Sequence, residues 1–191
     1  MKVSLVTPYT QDREHFLDRI KAIAAYQTYP IHEHLFDSSD TILGDKRNNL
    51  IDAATGDIIV HFDVDDIYTP TYVETAVIRL IDSNADIIGM NGCYFHNVAP
   101  DTFHHWQSSP KKQVFITEAT WVFYKNRFKG FKSVNIGEGR EYLPTSRYAY
   151  YQDDTFLATI HGGNISSHLA LYAMKKVPAN EALLLKKHFY G

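Results

Sequence analysis

The sequence has a single cysteine, no long apolar run and little net charge, and each of these features excludes a class of protein. Cys93 has no partner in the chain, so an internal disulfide framework is excluded and a reducing compartment is favoured. No stretch approaches the roughly 18 consecutive apolar residues that a transmembrane helix requires. Charged residues close to the N-terminus leave no apolar region for a signal peptide. We therefore expect a cytoplasmic protein without a transmembrane segment.

The net charge and the hydrophobic content argue against two further classes of protein, nucleic-acid binders and disordered chains. The formal net charge is −3 with 10 histidines counted as neutral, so no overall basic field marks a nucleic-acid binder. Hydrophobic residues make up 45% of the 191 residues, which is enough for a full-sized core and argues against disorder. No compositional break or internal repeat divides the chain. The sequence thus predicts a single domain over residues 1–191 and leaves the oligomeric state open.

Residues 44–66 combine a helix, a strand and an acidic cluster. Apolar spacing of i, i+3, i+4 and i+7 over residues 47–54 predicts a helix. Gly56 follows this helix, where a left-handed residue is predicted to end it. The run over residues 58–62 is apolar and rich in β-branched side chains, which predicts a strand buried on both faces.

Three carboxylates, those of Asp63, Asp65 and Asp66, follow this strand at once. Burying them together without partners would cost several kcal/mol each, so we expect them at the open end of the strand, facing a cation. Ligands of open α/β sheets bind at the carboxyl ends of the strands. The cluster therefore predicts a ligand site, and a solvated acidic turn is the structural alternative.

Composition and apolar patterns also predict secondary structure in other parts of the chain. Residues 91–118 mix aromatic side chains and histidines, which predicts an ordinary hairpin with aromatic packing. Residues 169–189 interleave lysines with apolar residues, which is typical of a packed helix with a solvated face or of a basic surface for acidic lipid or nucleic acid. Strands are predicted at residues 3–6, 85–90 and 120–124, and helices at residues 16–24 and 73–81.

The order of helix, Ala-x-Gly, apolar strand and Asp-x-Asp-Asp in residues 44–66 resembles the core of the family-2 glycosyltransferases, which have the nucleotide-sugar-dependent GT-A fold. Pro8 and Arg13 match the first loop of that family, and residues 27–30 match its Gln-x-Tyr-Pro phrase. The resemblance implies an α/β fold, a single Rossmann-like domain whose mixed, mostly parallel central sheet is flanked by helices. Within it, residues 1–90 would bind the nucleotide sugar, residues 91–168 would face the acceptor, and residues 169–191 would form a helical tail. On the acceptor side, the alternative to a simple hairpin is that the aromatic side chains of residues 91–118 would stack on a sugar or base.

The resemblance also implies a metal and a donor. In the family the acidic motif holds a divalent ion against the diphosphate of the donor, which implies Mn²⁺ or Mg²⁺ at Asp65 and Asp66. His161 begins a His-x-x-Asn-x-Ser stretch and would complete the metal shell. The donor would be a nucleoside-diphosphate sugar, with UDP favoured. Asp37 would bind the uracil or the ribose of this donor, although this residue is also typical of an Asx-type turn. The predicted donor-binding residues are Thr7, Pro8, Tyr9, Arg13, Asp37, Arg47, Asp63 and Val64.

Residues 135–142 resemble the Gly-Glu-Asp segment of the family, whose acidic residue acts as the catalytic base. Glu138 follows the glycine, but Gly139 replaces the aspartate, so Glu138 is the predicted base and Glu141 the alternative. The family implies a single displacement with inversion at an acceptor hydroxyl, carried by a saccharide, a lipid-linked sugar, a protein or a modified DNA base. Two other functions stay open: a non-catalytic nucleotide-sugar binder, suggested by Gly139, and a sugar nucleotidyltransferase, which would require a glycine-rich loop after the first strand.

Overall fold

A computed structural model describes residues 1–108, 115–139, 142–162, 164 and 174–191. The four helices of this part are α1 (Leu17–Ala25), α2 (Leu43–Ala53), α3 (Tyr72–Ser83) and α4 (Ala179–Tyr190), and 3-10 turns include Gln11–Phe16 and Glu118–Thr120. The strands are β1 (Val3–Pro8), β2 (Glu33–Asp37), β3 (Ile58–His61), β4 (Ile67–Tyr68), β5 (Ile87–Met90), β6 (Gly92–Asn97), β7 (Thr102–Gln107), β8 (Val122–Tyr124), β9 (Tyr148–Tyr151), β10 (Phe156–Ile160) and β11 (Lys175–Lys176).

The larger sheet of the described residues has the strand order β2-β1-β3-β8-β5-β9. β1 runs parallel to both of its neighbours, and β5 runs parallel to β9. β8 lies antiparallel between β3 and β5. The prediction of an α/β fold with a mixed, mostly parallel central sheet is therefore confirmed.

A smaller sheet has the strand order β11-β7-β6-β10-β4. β6 and β7 form an antiparallel hairpin, which is one of the two structures predicted for residues 91–118. β10 lies parallel to β6 and antiparallel to the short strand β4. Because β4 follows directly after the acidic cluster, this pairing ties that cluster to β10.

The core forms because the central strands are apolar on both faces. Every residue of β1 and β3 is buried, and α3 adds a face that contains Tyr72, Val73 and Leu80. Aromatic rings continue the core towards the acidic cluster, with Phe62 stacked on Tyr68 and Tyr72 packed edge to face against Tyr68. The ring centroids of Phe62 and Tyr68 are 3.9 Å apart, and those of Tyr68 and Tyr72 are 4.7 Å apart.

The predicted role of Gly56 is wrong. α2 already ends at Ala53, because Ala54 adopts extended backbone with φ −64° and ψ 142°. Gly56 does not have a positive φ; among the described glycines, Gly130 and Gly137 do. A glycine is required at position 56 by close packing instead, since a Cβ atom there would lie 2.4 Å from Ser4 Oγ.

The C-terminal segment contains the predicted helix in the part that the structure describes. α4 buries Leu185 against the smaller sheet and exposes Leu183 and Leu184. No helix within the described ranges is both long enough and apolar enough to cross a bilayer.

Two substitutions on α3 test this assignment of the core. Leu80 is fully buried, so Leu80→Ala is expected to lower the free energy of unfolding by about 2–5 kcal/mol through lost contacts and a residual cavity. Ile78 is 51% exposed on the same helix, so Ile78→Ala is expected to change it by less than about 0.5 kcal/mol. Urea denaturation measures both variants, and similar losses for the two would contradict the orientation of α3.

Candidate active site

A cavity of about 550 Å³ opens at the carboxyl ends of β1 and β3, where the smaller sheet meets the larger one. This is the edge at which the sequence places a ligand site. The wall combines acidic, basic and aromatic side chains. They include Tyr9, Arg13, Lys46, Arg47, Asp63, Asp65, Asp66, Phe95, Trp106, Phe115, Glu118 and Glu138.

The acidic loop, residues 63–66, is held in this wall by the core beneath it. Phe62 is fully buried and its carbonyl oxygen accepts a hydrogen bond from Thr7 Oγ1 at 2.5 Å. The backbone N–H of Asp63 donates to Tyr68 Oη at 2.8 Å. Because Tyr68 belongs to the stacked rings, the direction in which the loop leaves β3 is set by core packing.

Asp65 is the most densely contacted residue of the acidic loop. Its Oδ2 atom accepts hydrogen bonds from Arg13 Nη1 at 3.1 Å, His161 Nε2 at 2.9 Å and Asn164 Nδ2 at 3.4 Å. Its carbonyl oxygen accepts from Arg19 Nη2 at 2.7 Å. Three predicted site residues, Arg13, Asp65 and His161, thus meet in space, and the sequence analysis missed Arg19 and Asn164.

Asp66 points towards β10. Its Oδ1 atom accepts from the backbone N–H of Thr159 at 2.9 Å, and the Thr159 hydroxyl donates to the carbonyl oxygen of Asp65. Burial, together with the charges of Asp65 and Asp63, raises the pKa of Asp66 well above its ordinary value. Asp65 and Asp66 lie at the end of β3, as predicted, and they are only 5% and 7% exposed. Arginine, histidine and backbone donors surround them in place of water.

The oxygen atoms of the acidic loop suit a hard divalent cation. Burial also raises the pKa of Asp63, although Arg47 opposes this, so the ionised form of the loop is disfavoured without a cation and would be stabilised by one. Among the described residues, no three His, Cys, Asp or Glu side chains converge as a complete cage. The donor set therefore fits an ion that takes one or two carboxylates from the protein and further oxygens from a phosphate.

Arg47 connects three parts of the site. Its Nε atom donates to Glu138 Oε1 at 2.9 Å and its Nη2 atom donates to Asp63 Oδ1 at 3.3 Å. Nη1 lies 3.1 Å from Nδ1 of His61 at the end of β3. The Arg47 side chain is only 4% exposed. Its contact with the nucleotide sugar stays a prediction. In the structure its N–H groups contact side chains of the protein.

Glu118 is a site residue that the sequence analysis missed. Its carboxyl group lies against that of Glu138, and its Oε1 atom accepts from the backbone N–H of Gly139 at 3.2 Å. Burial, and then the charge of Glu138, raises the pKa of Glu118 to about 7. No local pattern marks this glutamate, because residues distant in sequence create its surroundings.

The remaining predicted residues divide into two groups. Pro8 and Tyr9 line the cavity, as a donor-binding loop requires. Thr7 and Val64 are buried in the core, and Asp37 Oδ1 accepts from Ser39 N at 2.8 Å in an Asx-type turn, so these three lie outside the wall. Glu141, the alternative base, lies outside the described residues.

Replacing Arg47 tests whether its buried pairs stabilise the site. Arg47→Met would leave Glu138, whose side chain is 2% exposed, without its cation, and we expect the free energy of unfolding to fall by about 3–5 kcal/mol. Arg127→Met is the matched control, because Arg127 is 42% exposed in its pair with Asp86 and is expected to lose at most about 1 kcal/mol. Equal losses in urea denaturation would mean that the buried pairs contribute no more than a surface pair.

Solved structures of two glycosyltransferases are similar to this chain in fold. One is S. aureus TarS, residues 1–349, in complex with UDP-GlcNAc, with a TM-score of 0.65 at 14% identity over 87% of this chain. The other is the mannosyltransferase PcManGT from Pyrobaculum calidifontis in complex with GDP-Man and Mn²⁺, with a TM-score of 0.62 at 12% identity over 99% of this chain. The alignments cover 61% of the TarS chain and 69% of the PcManGT chain. These similarities show that the fold is GT-A.

Sequence comparison gives the family. No curated protein matches the chain at a significant level. The family described as glycosyl transferase family 2 matches residues 16–159, which is most of the chain and includes α2, the acidic loop and Glu138. The chain therefore belongs to glycosyl transferase family 2.

Proposed function

We propose that this chain transfers a sugar from a nucleoside-diphosphate sugar to an acceptor hydroxyl, with a divalent metal and with inversion at the sugar carbon. The observation that carries the proposal is the convergence of Asp63, Asp65 and Asp66 with Arg13 and Lys46 in one cavity of a family-2 domain. A diphosphate and a metal ion carry charges that such a mixed set of side chains binds.

The donor would lie over β1 and the start of α2. Lys46 is buried, and its Nζ atom donates to the carbonyl oxygen of Tyr9 at 2.8 Å, so its charge is held at the cavity edge beside Pro8 and Tyr9. A lysine and an arginine on the same wall favour the phosphate groups, and Tyr9 offers a ring for stacking on a base. The donors in the TarS and PcManGT structures are both nucleoside-diphosphate sugars, which supports this donor class. UDP stays the favoured nucleotide.

Asp65 and Asp66 would hold the metal, with His161 beside Asp65 as a further ligand. Mn²⁺ and Mg²⁺ both suit this oxygen-rich set, and the PcManGT structure contains Mn²⁺. When bound, such an ion supplies positive charge that stabilises the departing nucleoside diphosphate. Arg13 and Asn164 orient Asp65 through hydrogen bonds to its Oδ2 atom, and Thr159 orients Asp66.

The acceptor would enter from the side of the smaller sheet. Phe95 and Trp106, on β6 and β7, line this part of the cavity together with Phe115. Their rings offer apolar surface for a sugar or another ring. This division agrees with a donor half over residues 1–90 and an acceptor half over residues 91–168. For inversion, the acceptor oxygen attacks the sugar carbon opposite the diphosphate in a single displacement, and a carboxylate of the wall accepts its proton.

A non-catalytic nucleotide-sugar binder is the second candidate, and one observation favours it. A Cβ atom at position 139 would lie 2.1 Å from Cη2 of Trp121, so this position cannot carry the aspartate of the family's Gly-Glu-Asp segment. Release of nucleoside diphosphate distinguishes the two functions, because a binder releases the donor unchanged.

Thermal stabilisation by a donor tests both the donor class and the metal. UDP-GlcNAc with Mn²⁺ at about 100 times its dissociation constant is expected to stabilise the native state by about 2.7 kcal/mol, and EDTA is expected to remove most of this effect. Asp65→Asn should lose the metal dependence, because an amide is a weaker ligand for a hard cation than a carboxylate. The melting temperature measured with UDP-GlcNAc and with GDP-Man, each with and without Mn²⁺, provides the data.

Asp82→Asn is the control for this experiment, because Asp82 is exposed near the end of α3. It is expected to keep the full metal-dependent stabilisation. Stabilisation of the wild-type protein that is equal in EDTA and in Mn²⁺ would contradict the metal assignment, and no stabilisation by either donor would contradict the proposed function.

A further inference from the structure

We propose that Glu118 is the catalytic base that takes the proton of the acceptor hydroxyl, and that Glu138 is a positioning residue for Glu118. The assignment rests on the glycosyl transfer proposed above. It gives the role predicted for Glu138 to a residue on a different segment, the 3-10 turn Glu118–Thr120.

The surroundings of Glu138 argue against a direct role in proton transfer. A base has to come within hydrogen-bond distance of the proton that it removes. The Glu138 side chain is only 2% exposed, and its Oε1 atom accepts from Arg47 Nε at 2.9 Å. Turning towards an acceptor would break this pair and leave the buried guanidinium with less compensation. Glu138 is therefore built as a fixed, buried charge.

Both glutamates line the cavity, but Glu118 is partly exposed whereas Glu138 is buried. Thr117 and Ala119, the neighbours of Glu118 in sequence, also line the cavity. Its backbone is fixed, because its carbonyl oxygen accepts from Trp121 N at 3.1 Å and lies 2.7 Å from His61 Nδ1. The Gly139 N–H holds its Oε1 atom at 3.2 Å. The carboxyl group is thus presented to the cavity in a defined orientation.

Trp121 excludes a side chain at position 139, next to Glu118. The indole ring occupies the space that a side chain at position 139 would need. A carboxylate therefore cannot come from position 139, whereas the Glu118 side chain accepts a hydrogen bond from the backbone N–H of that residue. Gly139 contributes its N–H group in place of a side chain.

The charges around Glu118 make it a suitable base near neutral pH. The groups that face it are Glu138, Arg47 from α2, His61 from β3 and the Gly139 N–H. Burial and the negative charge of Glu138 raise the pKa of Glu118 to about 7, and Arg47 opposes them. His61 is fully buried, which lowers its pKa well below the ordinary value and keeps the ring neutral. A base whose pKa lies near the working pH is the most effective.

The step balances with the groups named. The acceptor O–H proton passes to the Glu118 carboxylate while the acceptor oxygen forms a bond to the anomeric carbon of the donor. The bond between that carbon and the diphosphate oxygen breaks, and the nucleoside diphosphate leaves with the electron pair. Glu118 then returns its proton to water after the product departs.

Glutamine variants separate the two roles, because glutamine keeps the shape and removes the charge. The assay is the release of UDP from UDP-GlcNAc in Mn²⁺ with water as the acceptor, measured from pH 5.5 to 9. For the wild type, kcat/KM is expected to rise with pH and to level off above about 7, as Glu118 loses its proton. Glu118→Gln is expected to lose about 10²- to 10⁴-fold in kcat and this pH-dependent rise, with donor stabilisation unchanged.

Glu138→Gln is expected to behave differently from Glu118→Gln. Removing the neighbouring negative charge favours the ionised form of Glu118, so its pKa falls and the rise in kcat/KM moves to lower pH. Turnover should stay within about 10-fold of the wild type, since the base itself is intact.

Three outcomes would overturn the assignment. A severe loss confined to Glu138→Gln would return the role of base to Glu138, and near-normal turnover in both variants would exclude both glutamates. Wild-type protein that neither binds nor turns over the donor would instead overturn the proposed function, and the assignment with it. Donor-dependent thermal stabilisation of each variant shows that the variant is folded.

Discussion

The site depends on one constraint, which is that several carboxylates lie close together where little water reaches them. Asp65, Asp66 and Glu138 are each at most 7% exposed. Carboxylates in such surroundings need cations or hydrogen-bond donors, because unpaired burial of a charge is unfavourable. Arg47 meets this requirement for Glu138 and Asp63 together, so one guanidinium joins α2, the acidic loop and the segment around residue 138.

Two parts of the fold bring the groups of the site into one cavity. The stacked rings of Phe62 and Tyr68 set the direction in which the chain leaves β3, since Tyr68 Oη accepts from the N–H of Asp63. The smaller sheet then contributes Thr159 and His161 from the end of β10, which bind Asp66 and Asp65. The acidic loop, which follows β3, and these two residues therefore come from different sheets, and loops on this rigid scaffold form much of the cavity wall.

The carboxyl pair of Glu118 and Glu138 illustrates how one segment can adjust the chemistry of another. No local sequence pattern marks Glu118. Burial and the negative charge of Glu138 raise the pKa of Glu118 above that of a free glutamate. Trp121 has a part in this arrangement, because its ring excludes any side chain at Gly139 and leaves that backbone N–H to Glu118. A substitution of Trp121 is therefore expected to alter the surroundings of the Glu118 carboxyl group.

The sequence by itself determined the elements whose signals are local. Apolar periodicity was sufficient for β1, β3 and α3, and the position of the acidic cluster after a buried strand was sufficient to predict that it lies at the end of that strand, where the cavity opens. The sequence by itself did not determine the burial of Asp65 and Asp66 or the ion pair of Arg47 with Glu138. It also did not indicate that Glu118, Asn164 and Thr159 line the cavity. Thr159 is 93 residues from Asp66, Asn164 is 99 residues from Asp65, and Arg47 and Glu138 are 91 residues apart. Local patterns report which face of a helix or strand is apolar, whereas charge compensation and exposure depend on distant segments that only the tertiary structure brings together.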